Sequence, residues 1–477
     1  MTTLFLIIPL ALLVALNFLT KGLRRGAFLA SGILLSLCQI GAVILLPQEI
    51  LNSPLHCFSQ IFYFPLSVDN LSRLMLLCIG ILIFIGFITA NNLIKEGVRK
   101  SNFFSLLFIL GLGMNGVVLV RDLFSLYVFL EITSVVSFIL IAIQKERDAF
   151  EGAFKYIIFS AVASVLMLAS IGLIMMTTGD VSFAAASGAL MASPNSGFVL
   201  FAVAIFLSGL FIKAGLMPFH GWLADAYMSA PAPVSIVLAG IVTKTLGVYS
   251  LMRVVGSVFG FVSQIQSVLM FVGALSIVAG ALAALGQNNF KRMLAYSSIS
   301  QVGFIILSFG CGTELGVAAA MFHLFNHSIF KGLLFVNSAA VESQAGSSDM
   351  DDMSGLASRM PVTGVTSALA CLSASGFPPL SGFWSKLLIV IALWMAGFYV
   401  YAILAVLSSV LTLGYMLMLQ RRVFFGLLRP ELEGVKEAGL GLIVPSVILA
   451  AIMVGVGLFF PYIVNTFLLP VATLGFK

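Results

Sequence analysis

The sequence predicts an all-α, polytopic membrane protein of about fourteen transmembrane helices, on three observations. Of its 477 residues 61% are hydrophobic and 9% charged, whereas soluble chains carry roughly a quarter charged residues to cover their surface. The apolar residues gather in runs of roughly 20, enough to cross about 30 Å of hydrocarbon. The basic residues stand between these runs and favour one side of an alternating topology.

Six runs fill the first third, near 3-19, 27-46, 71-90, 103-120, 123-143 and 155-177. Eight follow, near 198-217, 232-255, 261-285, 294-310, 315-341, 362-393, 398-425 and 440-466. The first, from Leu4, is followed by Lys21, Arg24 and Arg25 and lacks a small-residue cleavage site, so it reads as a retained helix and not a signal peptide. Alternating loops put 16 of the 24 Lys and Arg on one side, including Lys95, Arg99, Lys100, Lys145, Lys291, Arg421, Arg422 and Arg429. The other side receives only Arg121, Arg253 and Lys477. The positive-inside rule then puts both termini extracytoplasmic, and the chain is expected in the cell (inner) membrane.

The net charge of +6 is explained by these loop groups and forms no basic face for nucleic acid. Cys38, Cys57, Cys78, Cys311 and Cys371 lie scattered in apolar segments, with no spacing that closes a metal or iron–sulfur site. There is no dinucleotide fingerprint and no P-loop, so no nucleotide chemistry is indicated. No cofactor is expected in this chain, and whether it is part of an enzyme is left open.

Two runs are interrupted alike. The first reads Lys213-Ala-Gly-Leu-Met-Pro218-Phe-His220, and the second Gly376-Phe-Pro378-Pro379-Leu-Ser-Gly382. Proline removes a backbone donor and clashes with the preceding turn, so both helices should break at Pro218 and at Pro378 and Pro379. Paired breaks suggest an inverted repeat with a site at the breaks, although ordinary packing kinks give the same pattern.

Seven ionisable residues fall inside or at the edge of apolar runs: Glu131, Lys213, Lys244, His323, His327, Lys331 and Lys386. Such groups are costly in a bilayer unless paired or wet. Glu131 needs a cation, and Lys213 is the nearest plausible one in chain order; the pair is either a proton switch or a static packing contact. His323, His327 and Lys331 are spaced four and four, on one helical face about 12 Å long at 1.5 Å per residue. Histidine titrates near neutrality and passes protons in either direction. Zinc is the rival at that spacing, but no carboxylate or cysteine accompanies the pair. Lys244 and Lys386 complete a row of titratable groups, unless they snorkel to the interface.

Five segments carry a family resemblance: Phe124 to Glu131, Pro218 to Asp225, Pro231 to Ser235, Lys291 to Gly303 and His327 to Phe335. Together they resemble the proton-conducting antiporter-like subunits of complex I, the Mrp antiporters and energy-converting hydrogenases, over about residues 65 to 425. The resemblance implies a single transmembrane domain over 1-477 with two inverted five-helix repeats near 103-256 and 261-425, each holding a broken helix, flanked by helices in 1-90 and 440-466. It implies that Glu131 and Lys213 take the roles of the fifth-helix Glu and of the Lys before the broken seventh helix, that Lys244 is the eighth-helix Lys, that His323, His327 and Lys331 form the central relay, and that Lys386 is the exit residue; the Glu131–Lys213 pair is then expected to gate the row. Ala224 and Ser328 replace the usual Pro and Ala, and neither position is itself a proposed carrier. The chain ends soon after its last span, so the long lateral helix of the largest complex I member is expected to be missing. The implied partners are other membrane subunits, the lipid bilayer and protons, or Na⁺, with redox centres elsewhere. Competing readings are an Mrp-type cation/proton exchanger, a scaffold that conducts nothing, and an independent transporter of organic solutes. The last would need a midplane pocket instead of a row of Lys and His.

Overall fold

The computed structural model describes residues 1–52, 65–94, 98–192 and 196–464. Cys57, Lys95, Lys477 and the end of the 440-466 run lie outside them. The regular structure of the described residues is all helix, with no strand among them; three isolated bridges, such as Leu66 with Val120, tie loops together. Twelve helices among them are long and apolar enough to cross a membrane. Two of the fourteen apolar runs map to shorter helices: 3-19 to Leu4–Asn17, and 362-393 to the pair Pro361–Ser375 and Ser381–Met395.

The chain forms two compact units. One comprises Met1–Gly215 and Ile241–Val262; the other comprises Leu216–Gly240 and the chain from Ser263 on. In the first, helices begin where a side chain satisfies the orphan amides of the first turn: Asp69 accepts from the Ser72 amide at 2.8 Å and Asp122 from the Ser125 amide at 2.6 Å. The run at 155-177 belongs to a longer helix, Arg147–Thr178. Its charged first turns extend beyond the apolar stretch and are tied by a Lys155–Glu151 bridge of 2.7 Å, one turn apart. The run at 232-255 is not a regular α-helix: Leu238–Val242, Lys244–Tyr249 and Val255–Phe259 are π-helical.

In the second unit, small residues let helices touch backbone to backbone. A Cβ on Gly273 would stand 2.7 Å from the Leu307 amide, and one on Gly280 2.7 Å from that of Ser300, so Ser263–Leu285 and Phe290–Gly310 lie in close contact. The Glu314–Ala345 helix is buried from Gly316 to Val341. The polar stripe it carries is therefore enclosed by protein.

Both predicted breaks are present. Gly197–Ala214 ends on Gly215 in the left-handed conformation, φ 66°, and helix resumes at Leu223; Pro361–Ser375 ends on Gly376, φ 85°, and resumes at Ser381. The Met217–Pro218 and Pro378–Pro379 peptides are cis.

Candidate functional site

In the first unit Glu131 projects from Leu123–Ile141 and Lys213 from the last turn of Gly197–Ala214, where the helix dipole favours a cation. The Lys213 Nζ is 2.8 Å from Glu131 Oε1, 2.9 Å from Ser134 Oγ and 2.9 Å from Ser160 Oγ. An ammonium has three donors, and three acceptors meet them. Ser164 donates to Glu131 Oε1 as well. The Lys213 side chain is wholly buried while that of Glu131 is 30% exposed, so only the carboxylate end reaches the unit's outer surface.

Lys244 is buried in the π-helical Lys244–Tyr249 segment. Gly247 lets this segment lie against the end of the Lys213 helix: a Cβ there would stand 2.2 Å from the Ala214 Cα. Gly247→Ala should therefore cost about 1–3 kcal/mol of stability through overpacking, measurable by unfolding in detergent; an unchanged transition would show that the two backbones separate freely.

A second charged cluster closes one end of this unit. Arg253 grips Asp69 with two bonds, Nη2 to Oδ1 at 2.7 Å and Nη1 to Oδ2 at 2.5 Å. Arg121 stands 3.5 Å from Asp69 Oδ2, Arg253 Nε donates to the Tyr249 hydroxyl at 3.1 Å, and that hydroxyl donates to the Val118 carbonyl at 2.7 Å. Burial alone would raise the Asp69 carboxyl, but Arg253 and then Arg121 outweigh it and hold the group well below the usual carboxylate range.

In the second unit His323, His327 and Lys331 follow one another on the Glu314–Ala345 helix, all buried. The two imidazoles lie parallel with centroids 6.4 Å apart. His323 Nδ1 is 2.9 Å from Ser385 Oγ on the helix after the second break. Lys331 donates to the Leu294 carbonyl at 2.9 Å and to the Ser297 hydroxyl. Lys386 is buried and does not snorkel: its Nζ sits 4.6 Å from the Phe304 ring centroid, a cation–π contact, and has no hydrogen-bond partner among the described residues.

The structure thus gives each unit its own set of titratable groups, buried Lys213 and Lys244 with half-buried Glu131 in one, and buried His323, His327, Lys331 and Lys386 in the other. The family model described as NADH:quinone oxidoreductase/Mrp antiporter, TM, matches residues 120–412, more than half the chain and all seven of these positions. The chain belongs to this family. It is 33% identical over 430 residues to NADH-quinone oxidoreductase subunit N of Desulforudis audaxviator, covering 86% of this chain and 84% of that protein. It is 30% identical over 365 residues to a Na⁺/H⁺ antiporter component of Alkalihalophilus pseudofirmus, covering 76% of this chain and 73% of the other. Among solved structures it resembles a chain of the Mrp complex from Dietzia sp. DQ12-45-1b, with a TM-score of 0.89 and 26% identity, over 100% of this chain and 97% of that one.

The hydroxyls that meet these titratable groups carry almost no signal in the sequence: Ser134 and Ser160 on Lys213, Ser164 on Glu131, Ser297 on Lys331 and Ser385 on His323. The spacing held a faint signal, since Ser134 follows Glu131 by three residues, on the same helical face. Nor does the sequence pair Arg253 with Asp69, because 184 residues separate them.

Proposed function

We propose that this chain translocates protons across the cytoplasmic membrane as one membrane subunit of a multi-subunit complex, of the NADH-quinone oxidoreductase, Mrp or hydrogenase kind. The observation that carries this reading is the enclosure of four lysines and two histidines within apolar helices, with Lys213 and Lys386 beside the two helix breaks. Ionisable groups at that depth are costly and functional by default. Lysine and histidine side chains accept and release protons and offer none of the oxygen ligands that a hard cation wants, and the carboxylate among these groups, Glu131, is already engaged by Lys213. This favours protons over Na⁺.

In this scheme the proton enters at Lys244, passes the His327 and Lys331 relay and leaves by way of Lys386. The Glu131–Lys213 pair gates it, because whether Lys213 holds its proton depends on whether Glu131 is within reach. The two sets correspond to two inverted repeats, near 103-256 and 261-425, within a fourteen-helix membrane domain. The charge asymmetry of the loops supports extracytoplasmic termini. Redox cofactors, where the parent complex has them, belong to its other subunits.

The test is proton uptake by proteoliposomes holding the intact complex, wild type against Lys331→Ala, with subunit stoichiometry measured on the same samples. Loss of uptake with stoichiometry intact is the expected result. Unchanged uptake would reduce the central row to packing, and loss of assembly alone would favour the scaffold reading.

A further inference from the structure

We propose that a groove at one membrane face of the second unit is a binding site for an anionic phospholipid. The groove has a volume of about 1100 Å³, and its lining combines Arg421, Arg422 and Arg429 with the apolar Leu417, Phe425 and Leu427. It lies at the end of the Tyr399–Phe424 span, the level at which headgroups meet acyl chains. The arginines lie beyond the segment matched by the family model, residues 120–412, and no step of proton transfer uses them.

The groove is built by the backbone. Gly355 takes φ 66° and donates to the Phe425 carbonyl at 3.1 Å, and a Cβ on it would meet the Leu428 amide at 2.5 Å. Gly426, φ 97°, turns the chain there. This turn holds Leu427 and Phe425 outward, 91% and 53% exposed.

Charge supplies the second argument. Arg422 is engaged: it donates to Asn288 Oδ1 at 2.8 Å and stands 3.4 Å from Asp351 Oδ1, offsetting the one acidic residue of the lining. Arg421 and Arg429 are exposed, and their guanidinium groups make no hydrogen bond or ion pair with any described residue. Two unpartnered guanidiniums ask for an anion that takes forked hydrogen bonds, which a phosphodiester provides. The outward leucine and phenylalanine ask for hydrocarbon beside it. An acidic segment of a partner subunit would satisfy the arginines alone, whereas an anionic phospholipid satisfies both halves of the lining.

The test uses the full-length chain in detergent, equilibrated with phosphatidylglycerol or with phosphatidylcholine of the same acyl composition, and counts retained lipids by native mass spectrometry. Wild type should retain one phosphatidylglycerol at concentrations where phosphatidylcholine is lost. Arg421→Gln with Arg429→Gln should weaken that retention by roughly 30-fold, as expected when two basic residues near an anionic headgroup are removed. Leu417→Ser with Leu427→Ser should weaken it as well. Equal retention of both lipids, or of phosphatidylglycerol by wild type and the arginine variant, would overturn the proposal. So would displacement by millimolar inorganic phosphate with no effect of the leucine changes, which would mark the groove as an anion site only. Selective retention that disappears in the intact complex would assign the groove to a partner segment and equally overturn it.

Discussion

Glu131→Gln should lower proton uptake by the intact complex on the order of tenfold, the size of a coupling energy of ~1–3 kcal/mol. Glutamine keeps the shape and can still accept from Ser164, but it removes the charge that Lys213 faces at 2.8 Å. Lys213 is then a buried ammonium held only by the hydroxyls of Ser134 and Ser160, and it has lost the partner whose approach and departure set its proton occupancy. Lys213→Ala should lower uptake similarly. The decisive comparison is the double variant. If the pair acts as one gate, the double should be no slower than either single, since residues in one network are not additive. Additive losses would mean that the two residues act in separate steps. An assembled Lys213→Ala complex that pumps at the wild-type rate would exclude the gate altogether.

That pair was legible in the sequence because both members are anomalies against an apolar background. A carboxylate in Leu123–Ile141 and a lysine beside a proline break each demand an explanation, and each is the nearest explanation for the other. The four-and-four spacing of His323, His327 and Lys331 was legible for a different reason, since helical periodicity alone puts them on one face. Serine gave no comparable signal. It is common in membrane helices, where its hydroxyl is satisfied by the carbonyl four residues back, as Ser134 does with Leu130 and Ser328 with Leu324. Nothing in its type distinguishes Ser160, which meets Lys213, from a packing serine. The π-helical stretches around Lys244 were also beyond reach, because they arise from how Ala232–Phe259 packs and hydropathy is blind to the difference between α and π. Arg253 read as a loop charge for the same reason: its position at the end of an apolar run is right, but its burial against Asp69 is a tertiary fact.

Asp69→Asn should produce the largest loss of stability, about 3–5 kcal/mol, because it leaves a buried arginine without its counter-ion. The Arg253 side chain is 4% exposed and makes two charge-assisted bonds to Asp69, and Tyr249 holds its Nε. The pH dependence follows from the depressed carboxyl. A group whose pKa is lower folded than unfolded contributes in full above the unfolded value, ~3.9 for Asp. That contribution is lost as pH falls through this value toward the folded one. Wild type should therefore be destabilised on acidification below about pH 5, whereas Asp69→Asn, already lacking the contribution, should show a flatter acid limb. Thermal unfolding of the full-length chain in detergent at neutral and acid pH measures both effects. Asp69→Leu combined with Arg253→Met should recover most of the loss, since removing both ions removes the desolvation cost along with the attraction. If the double variant were as unstable as Asp69→Asn, the cluster would owe its stability to the remaining bonds through Arg121, Ser72 and Tyr249 and not to the ion pair. The acid limb would then have to come from another carboxylate.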